Sequence, residues 1–283
     1  MNTILFANHP LQTSAALSSK MNKLFIIGQP PNLVDDYDNK ARVNEFLRST
    51  GRFLLPKGLI LQHQANLDGL DQNAIQNLEL PIVAKPIRGR GSHGVKLCNT
   101  YEELTAHVKE LFKEGSSIML EQYLAGQEAT ITTIPPSGHE LTYKSLPPVV
   151  RFNHQHGVAP YNGTVAVTRN SRVCSVQDML RDPTWRTIMS ECDQVAELLH
   201  CTAPIRIDVR RVEKGGRFAI FDVNMKPNMT GPGRPGREGQ ASLSAMAAEA
   251  MGWNYPQLLN IILDTAKSLV EIRSAKSVLN QKV

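Results

Sequence analysis

Apolar and polar residues alternate along residues 204–211, where Ile205, Ile207 and Val209 are set between Arg206, Asp208 and Arg210. A period of two predicts a half-buried strand. A second such run, residues 217–224, puts Asp222 and Asn224 on one side of its strand. Lys214, Gly215 and Gly216 lie between the two runs, and a three-residue loop there sets Asp208 opposite Asp222 and Arg206 opposite Asn224. Elsewhere the spacing turns helical. Val43, Phe46 and Leu47 predict a helix over 39–49 that ends near Gly51. Leu104, Val108, Leu111 and Phe112 predict another, opened by a Thr100/Glu103 capping box and stopped at Gly115. A third buries Ile188, Cys192, Val195 and Leu199 behind an Asp182 cap with Pro183 at its first position. Two closing helices, parted by Gly252, run to about Ile272. Short apolar runs at 24–27, 81–85, 95–98, 118–121 and 129–134 read as strands, with a tight turn at Ala125-Gly126. Residues 135–163 read as loops and short strands, and the Asp35-Asp36 pair as a solvated turn.

The hairpin carries chemistry. Like charges directly opposite in a sheet repel, by about 4 kcal/mol at ~4 Å and an effective dielectric of about 20. A divalent cation removes that penalty, and carboxylate plus amide oxygens suit Mg²⁺. The alternative is an exposed hairpin in another register, its acids paired with Arg206, Arg210 or Lys226. A glycine-rich stretch, Arg88-Gly89-Arg90-Gly91-Ser92-His93-Gly94, joins two of the strands. Its backbone N–H groups can cradle phosphates, with Lys85 supplying an ammonium and Ser92 a hydroxyl. It is neither a Walker loop nor a Rossmann fingerprint, since a strand follows it. A plain hairpin turn is the competing reading. Arg234 and Arg237 could grip a substrate carboxylate or lie in a solvated loop, and His154-Gln155-His156 could ligate a metal or form a polar loop.

Composition narrows the field. At 283 residues, 41% hydrophobic and 20% charged, the chain is that of a folded protein with one large α/β domain or two lobes. A net charge of +5, scattered along the chain, is compatible with an anionic small substrate and is poor evidence for nucleic acid. No apolar run approaches the roughly 18 residues of a membrane helix, and the first residues lack a secretory pattern. Cys98, Cys174, Cys192 and Cys201 show no Cys-x-x-Cys spacing, which points to reduced thiols in a cytoplasm.

In order, the lysine and glycine loop, Glu121-Gln122-Tyr123-Leu124 with Glu128, Arg206-x-Asp208 and Asp222-x-Asn224 form a series. It resembles the ATP-grasp superfamily, and most closely its D-alanine–D-alanine ligase-like carboxylate–amine ligases, over residues 36–272. The resemblance implies an α/β (α+β) ATP-grasp fold whose two lobes clasp ATP. The expected division is an abbreviated segment 1–35, a small lobe 36–125, a large lobe 126–272 and a tail 273–283. It implies ATP contacts from Lys40, Lys85, Arg88, Gly91, Ser92, His93 and Gly94. Glu121, Gln122, Tyr123 and Leu124 would meet the adenine edge, and Glu128 would accept from the ribose hydroxyls. Asp208, Asp222 and Asn224 would hold two Mg²⁺ ions (or Mn²⁺), Arg206 would stabilise charge at the acyl centre, and Ser242, Arg234 and Arg237 would face the substrate. Pro227-Asn228-Met229-Thr230 echoes the stretch that follows the metal ligands in that branch.

The implied reaction joins a small amino-acid-like carboxylate to an amine through an acylphosphate. The partners implied are those small molecules, with no nucleic acid and no membrane, and a homodimer is compatible with the resemblance. The pattern departs at Gly91, where the family often has serine, at Asp222, where glutamate is usual, and at an apparent insertion over 231–240. The family's N-terminal domain is also larger than residues 1–35 can build. An ATP-grasp phosphotransferase and a non-catalytic ATP-binding module needing a partner subunit are the alternatives.

Overall fold

The computed structural model describes residues 3–6, 24–62, 78–89, 92–138, 140–154, 167–233, 235–236 and 239–280. In chain order, β1 (Thr3–Phe6) and β2 (Leu24–Ile27) precede α1 (Val34–Tyr37), α2 (Lys40–Ser49), β3 (Gly58–Leu61), β4 (Ile82–Pro86), β5 (Lys96–Cys98), α3 (Tyr101–Lys113) and β6 (Ile118–Gln122). Next come β7 (Glu128–Ile134), β8 (Lys144–Ser145), β9 (Val149–Arg151), β10 (Ser171–Val173), α4 (Val176–Arg181), α5 (Thr184–Leu198), β11 (Ile205–Arg211) and β12 (Phe218–Asn224). They are followed by α6 (Leu243–Ala250), α7 (Tyr255–Asp264), β13 (Lys267–Ser268) and α8 (Leu269–Arg273).

Two antiparallel sheets each carry a core. The smaller, ordered β3-β6-β4-β5, buries Ile82, Ala84, Ile118 and Leu120 against Leu104, Val108 and Leu111 of α3. The larger, ordered β10-β9-β7-β11-β12 with β8 on β7, buries Ile207, Val209 and Ile220 against Ile188, Cys192 and Val195 of α5. Each isoleucine, leucine or valine among them, removed from water, is worth about 1.5–3 kcal/mol. On the larger sheet, one face is therefore apolar and the other is left for chemistry.

The helices form where the spacing expects them, with differences in detail. Thr100 accepts from the Glu103 N–H at 3.2 Å, but the Glu103 carboxylate accepts from Asn99, one residue outside the expected box. Asp182 caps α5 by accepting from the Thr184 N–H at 3.0 Å. Asp35 and Asp36 belong to α1, not to a turn, and Asp36 pairs with Arg42. The helix expected to run to Ile272 stops at Asp264. Lys267 and Ser268 instead pair with β2, Ser268 caps α8, and Leu269 and Ile272 bury against Leu24 and Ile26. β1, unmarked in the sequence pattern, lies parallel to β2.

Two groupings shift. Tyr37, Val43, Phe46, Leu47 and Phe53, expected in the small lobe, pack into the core of the larger sheet. The expected tail joins the same core through Val278. The loop after β6 crosses from one sheet to the other. That crossing opens a cavity of about 600 Å³ between β4 and β6 on one side and β7, β9, β11 and β12 on the other.

Candidate functional site

Strand register lays out the cavity's floor in rows. Arg151, Glu128 and Arg210 stand abreast on β9, β7 and β11. Thr130, Asp208 and Asp222 form the next row, and Thr132, Arg206 and Asn224 the third. Side chains two apart share a face, so the charged residues of all three rows line one wall. The expected pairings of Arg206 with Asn224 and Asp208 with Asp222 are present, reached by a different route. The turn is one residue tighter than expected: Gly216 N–H donates to Glu213 O at 3.0 Å, and Gly215 adopts φ +75°. Asp208 then pairs with Asp222 but Val209 with Ile220, leaving Phe221 as the extra residue of a β-bulge.

The two carboxylates do not face each other bare. Asn39 caps α2 by accepting from the Arg42 N–H, which makes Lys40 its first residue. Lys40 Nζ then donates to both oxygens of Asp222, at 2.7 and 3.0 Å. Burial works against this ammonium, yet the Asp222 charge and hydrogen bonds outweigh it and hold the lysine above its ordinary pKa. Asp222 is likewise disfavoured by burial but held below the usual carboxylate range by Lys40, Lys85 and Arg206. Thr130 Oγ1 donates to Asp208 Oδ1 at 2.5 Å, and Arg206 Nη2 to Oδ2 at 3.3 Å.

Protein cations thus relieve the repulsion that argued for a metal. No group of three or more His, Cys, Asp or Glu gathers among the described residues. The donor set is instead two carboxylates and the Asn224 amide, whose Oδ1 also accepts from the Lys226 N–H at 2.9 Å. These hard oxygens fit Mg²⁺ or Mn²⁺. The ammonium astride Asp222 marks where a cation is stabilised.

Opposite this wall, Lys85 projects from β4. Its Nζ lies 2.6 Å from Glu121 Oε2 and donates to Phe221 O at 3.2 Å, so it bridges the two sheets through the bulge. Glu121 also accepts from Asn44 Nδ2 at 3.2 Å. Gln122, Tyr123 and Leu124 continue the same wall. Glu128 closes that end, engaged by Arg210 and His154. Arg88, Ser92 and His93 line the mouth, whereas Gly94 lies away from the lining. A Cβ on Gly94 would stand 2.9 Å from both Pro86 and Leu111, at φ +70°, so packing accounts for that glycine. Ser242 lines the far end and caps α6 by accepting from the Ala245 N–H at 3.1 Å. Gly91, Arg234, Arg237 and the Gln155-His156 part of the histidine pair lie outside the described residues.

The sequence reading did not single out Arg151 or Asp38; it offered Arg210 and Lys226 only as possible partners of the hairpin acids and His154 only as a metal-ligand or polar-loop candidate, whereas Arg210 and His154 engage Glu128 and Lys226 pairs with Asp38 at 2.5 Å. For Arg210 the period-two alternation was a usable signal. The others depend on contacts across the fold.

A family model described as D-ala D-ala ligase C-terminus matches residues 57–264. D-alanine–D-alanine ligase A of Bacillus cereus is 28% identical over 205 residues, 71% of this chain and 58% of that protein. The D-alanine–D-alanine ligase of Aquifex aeolicus is 27% identical over 186 residues, 65% of this chain and 56% of that one. The chain therefore spans less than three fifths of the length of these curated relatives. Among solved structures, D-alanine–D-alanine ligase from Bacillus anthracis complexed with ATP gives a TM-score of 0.65 at 22% identity, covering 88% of this chain and 71% of that one. The ligase from Coxiella burnetii gives 0.70 at 17% identity, covering 95% and 68%. At these identities the structural likeness is one of fold. With the family match spanning both sheets and the cavity between them, the chain belongs to the D-alanine–D-alanine ligase C-terminal family of ATP-grasp proteins.

Proposed function

We propose that this cavity is the site of an ATP-dependent carboxylate–amine ligase acting on a small amino-acid-like substrate. The observation that carries this reading is convergence. Lys40 and Lys85 meet the Arg206, Asp208, Asp222 and Asn224 grid across one cavity, with the α6 N-terminus at its far end. The names of the relatives and the ATP complex of a protein of like fold support it.

In this reading a substrate carboxylate oxygen attacks the γ-phosphorus of ATP, the bond to ADP breaks, and an acylphosphate forms. An amine then attacks the acyl carbon, loses a proton, and phosphate leaves. Lys40 and Lys85 exchange Asp222 and Glu121 for phosphate oxygens. Arg206 faces the acyl oxygen on which negative charge develops, a role whose loss typically costs about 10²–10³ in rate. Ser242 and the first N–H groups of α6 orient a substrate carboxylate. Asp208, Asp222 and Asn224 would hold Mg²⁺ or Mn²⁺, which when bound neutralises charge on the phosphoryl oxygens.

The test is ADP release with Mg-ATP against D- and L-amino acids, singly and in pairs, with Asp222→Ala as the blank. Release that requires both a carboxylate and an amine, with a condensed product by mass, is the expected result. ATP turnover with no amine requirement overturns ligation, and full activity of Asp222→Ala removes the metal site.

A further inference from the structure

Two ion pairs cross between the α1–α2 corner and the end of β12. Lys40 reaches Asp222, and Asp38, two residues before Lys40, receives Lys226 Nζ at 2.5 Å. The first pair lies at the proposed metal position, and the second is not used by the reaction proposed above. Asp38 closes α1, its N–H donating to Val34 O at 2.9 Å, and Asn39 opens α2. Val223 and Met225 bury in the core of the larger sheet. The alternation of β12 therefore carries on past Asn224 and brings Lys226 onto the cavity face with Asp222 and Asn224. The Lys226 N–H donates to Asn224 Oδ1 at 2.9 Å, which fixes its backbone beside that row. Lys226 thus stands one step beyond the Arg206–Asn224 row, and lines the same cavity as Ser242 at the start of α6.

The second pair is lopsided. The Lys226 side chain is 6% exposed and the Asp38 side chain 33%. A buried ammonium gives up its counter-ion only at a large desolvation penalty, whereas a carboxylate one-third in water returns to water at little cost. Asp38 is therefore the exchangeable member. Lys226 is a cation that must hold an anion at the cavity wall, and the structure already places a carboxylate on it. In the proposed ligase one substrate carboxylate is phosphorylated and another is oriented by Ser242 and the start of α6. Lys226 is a place for one more.

We infer that Lys226 is a specificity residue: it exchanges Asp38 for a side-chain carboxylate of the substrate, so the site selects an acidic amino acid over its amide. A side chain that fills this end of the cavity displaces Asp38. A carboxylate then restores the charge-assisted bond to Lys226. An amide of the same shape leaves the ammonium buried with a dipole in place of a counter-ion, and a site built around a buried polar group rejects such an analogue strongly.

This inference rests on the ligase reading above, and the test separates the two. ADP release with Mg-ATP is measured with aspartate, glutamate, asparagine, glutamine and alanine, each as both enantiomers, singly and in pairs. The full chain is compared with Lys226→Met, Asp38→Asn and the charge-exchanged double variant Asp38→Lys with Lys226→Asp. In the native chain kcat/KM for the better acid is expected to exceed that for its own amide by about tenfold or more. Lys226→Met is expected to bring acid and amide within about twofold of each other, mainly by raising KM for the acid. Asp38→Asn, which removes the competitor for Lys226, is expected to act the other way and lower KM for the acid by about threefold or more. A merely structural ion pair would instead make these two variants alike. Should Lys226→Met not fold, Asp38→Asn and the double variant decide, the latter keeping an ion pair but losing the preference. Turnover of the amide as good as that of the acid, or of alanine alone, overturns the inference and leaves the ligase reading standing. So does a raised KM for the acid in Asp38→Asn. No ADP release with any amino acid or pair overturns both.

Discussion

Replacing Lys85 with Met removes one half of a buried pair. Its Nζ stands 2.6 Å from Glu121 Oε2, with side chains 6% and 3% exposed. At that separation and an effective dielectric of about 20, the gross attraction is about 6 kcal/mol. Desolvating two ions offsets most of it, so the intact pair stabilises the fold little over apolar groups of equal volume. The single variant is different, because among the described residues it leaves Glu121 buried with the Asn44 amide at 3.2 Å as its side-chain partner. Stranding such a charge costs about 3–5 kcal/mol. The lost bond from Lys85 to Phe221 O contributes about 1 kcal/mol of that. Adding Glu121→Gln removes the charge while keeping an acceptor for Asn44. The double variant should therefore recover most of the loss. The assay is urea unfolding of ligand-free protein, followed by far-ultraviolet circular dichroism with m-values compared. A single variant within about 1 kcal/mol of native, or a double variant no better than the single, would refute the claim that Glu121 is a charge held in place by Lys85.

Lys40→Met should let the ligand-free chain bind Mn²⁺ about tenfold or more tightly than native, since no ammonium then competes for Asp222; electron paramagnetic resonance titration without nucleotide reads this, and unchanged affinity counts against the shared position. Burial opposes ionisation of Asp182, but hydrogen bonds from Thr184 and the charge of Arg211 hold its pKa below the ordinary value. With a depressed folded value, the stability Asp182 contributes is present above the unfolded pKa of about 3.9 and is lost as pH falls through the folded one. The stability gap between native and Asp182→Asn, by urea unfolding, should accordingly close on going from pH 6 to about pH 2. Gly126→Ala would place a Cβ 2.5 Å from Arg211 Cβ and 2.6 Å from Glu213 O, and should cost about 1–3 kcal/mol by shifting the turn that leads to Glu128, read as a lower urea midpoint.

What the sequence made legible follows the range of the interactions. The period of two in residues 204–211 and 217–224, with glycines between them, was enough to read the hairpin, but Asp208 falls opposite Asp222 only because the bulge at Phe221 offsets a turn one residue tighter than the three-residue loop expected. α2 and α3 announce themselves through apolar spacing and polar caps at Asn39 and Thr100. Phe221 was not legible as a bulge, because nothing local distinguishes it from its strand neighbours, and the tighter turn it offsets is equally silent. Glu128 and Arg210 are 82 residues apart and meet only through the pairing of β7 with β11. β13, two residues long, is too short for any periodicity to register. Lys85 and Glu121 could each be singled out as polar residues in apolar runs, but only the β4–β6 register reveals that they lie diagonal to one another.

The charge pattern of the cavity bears on how ligands enter it. Asp38 with Lys226, Glu121 with Lys85, Glu128 with Arg210, Asp208 with Arg206 and Asp222 with Lys40 each form an ion pair. Within these five pairs no acid stands bare to a cation and no base stands bare to a phosphate. A divalent cation arriving alone must displace Lys40 from Asp222, and a nucleotide arriving alone must draw Lys40 and Lys85 from their carboxylates, stranding the buried charge of Glu121 and the part-buried charge of Asp222. Arriving together they exchange partners, with phosphate oxygens taking the lysines and the cation taking Asp222. Each ligand removes the penalty the other would incur. In the proposed ligase, nucleotide and cation binding should therefore be positively coupled, by the reciprocity that links any two ligands sharing a set of groups.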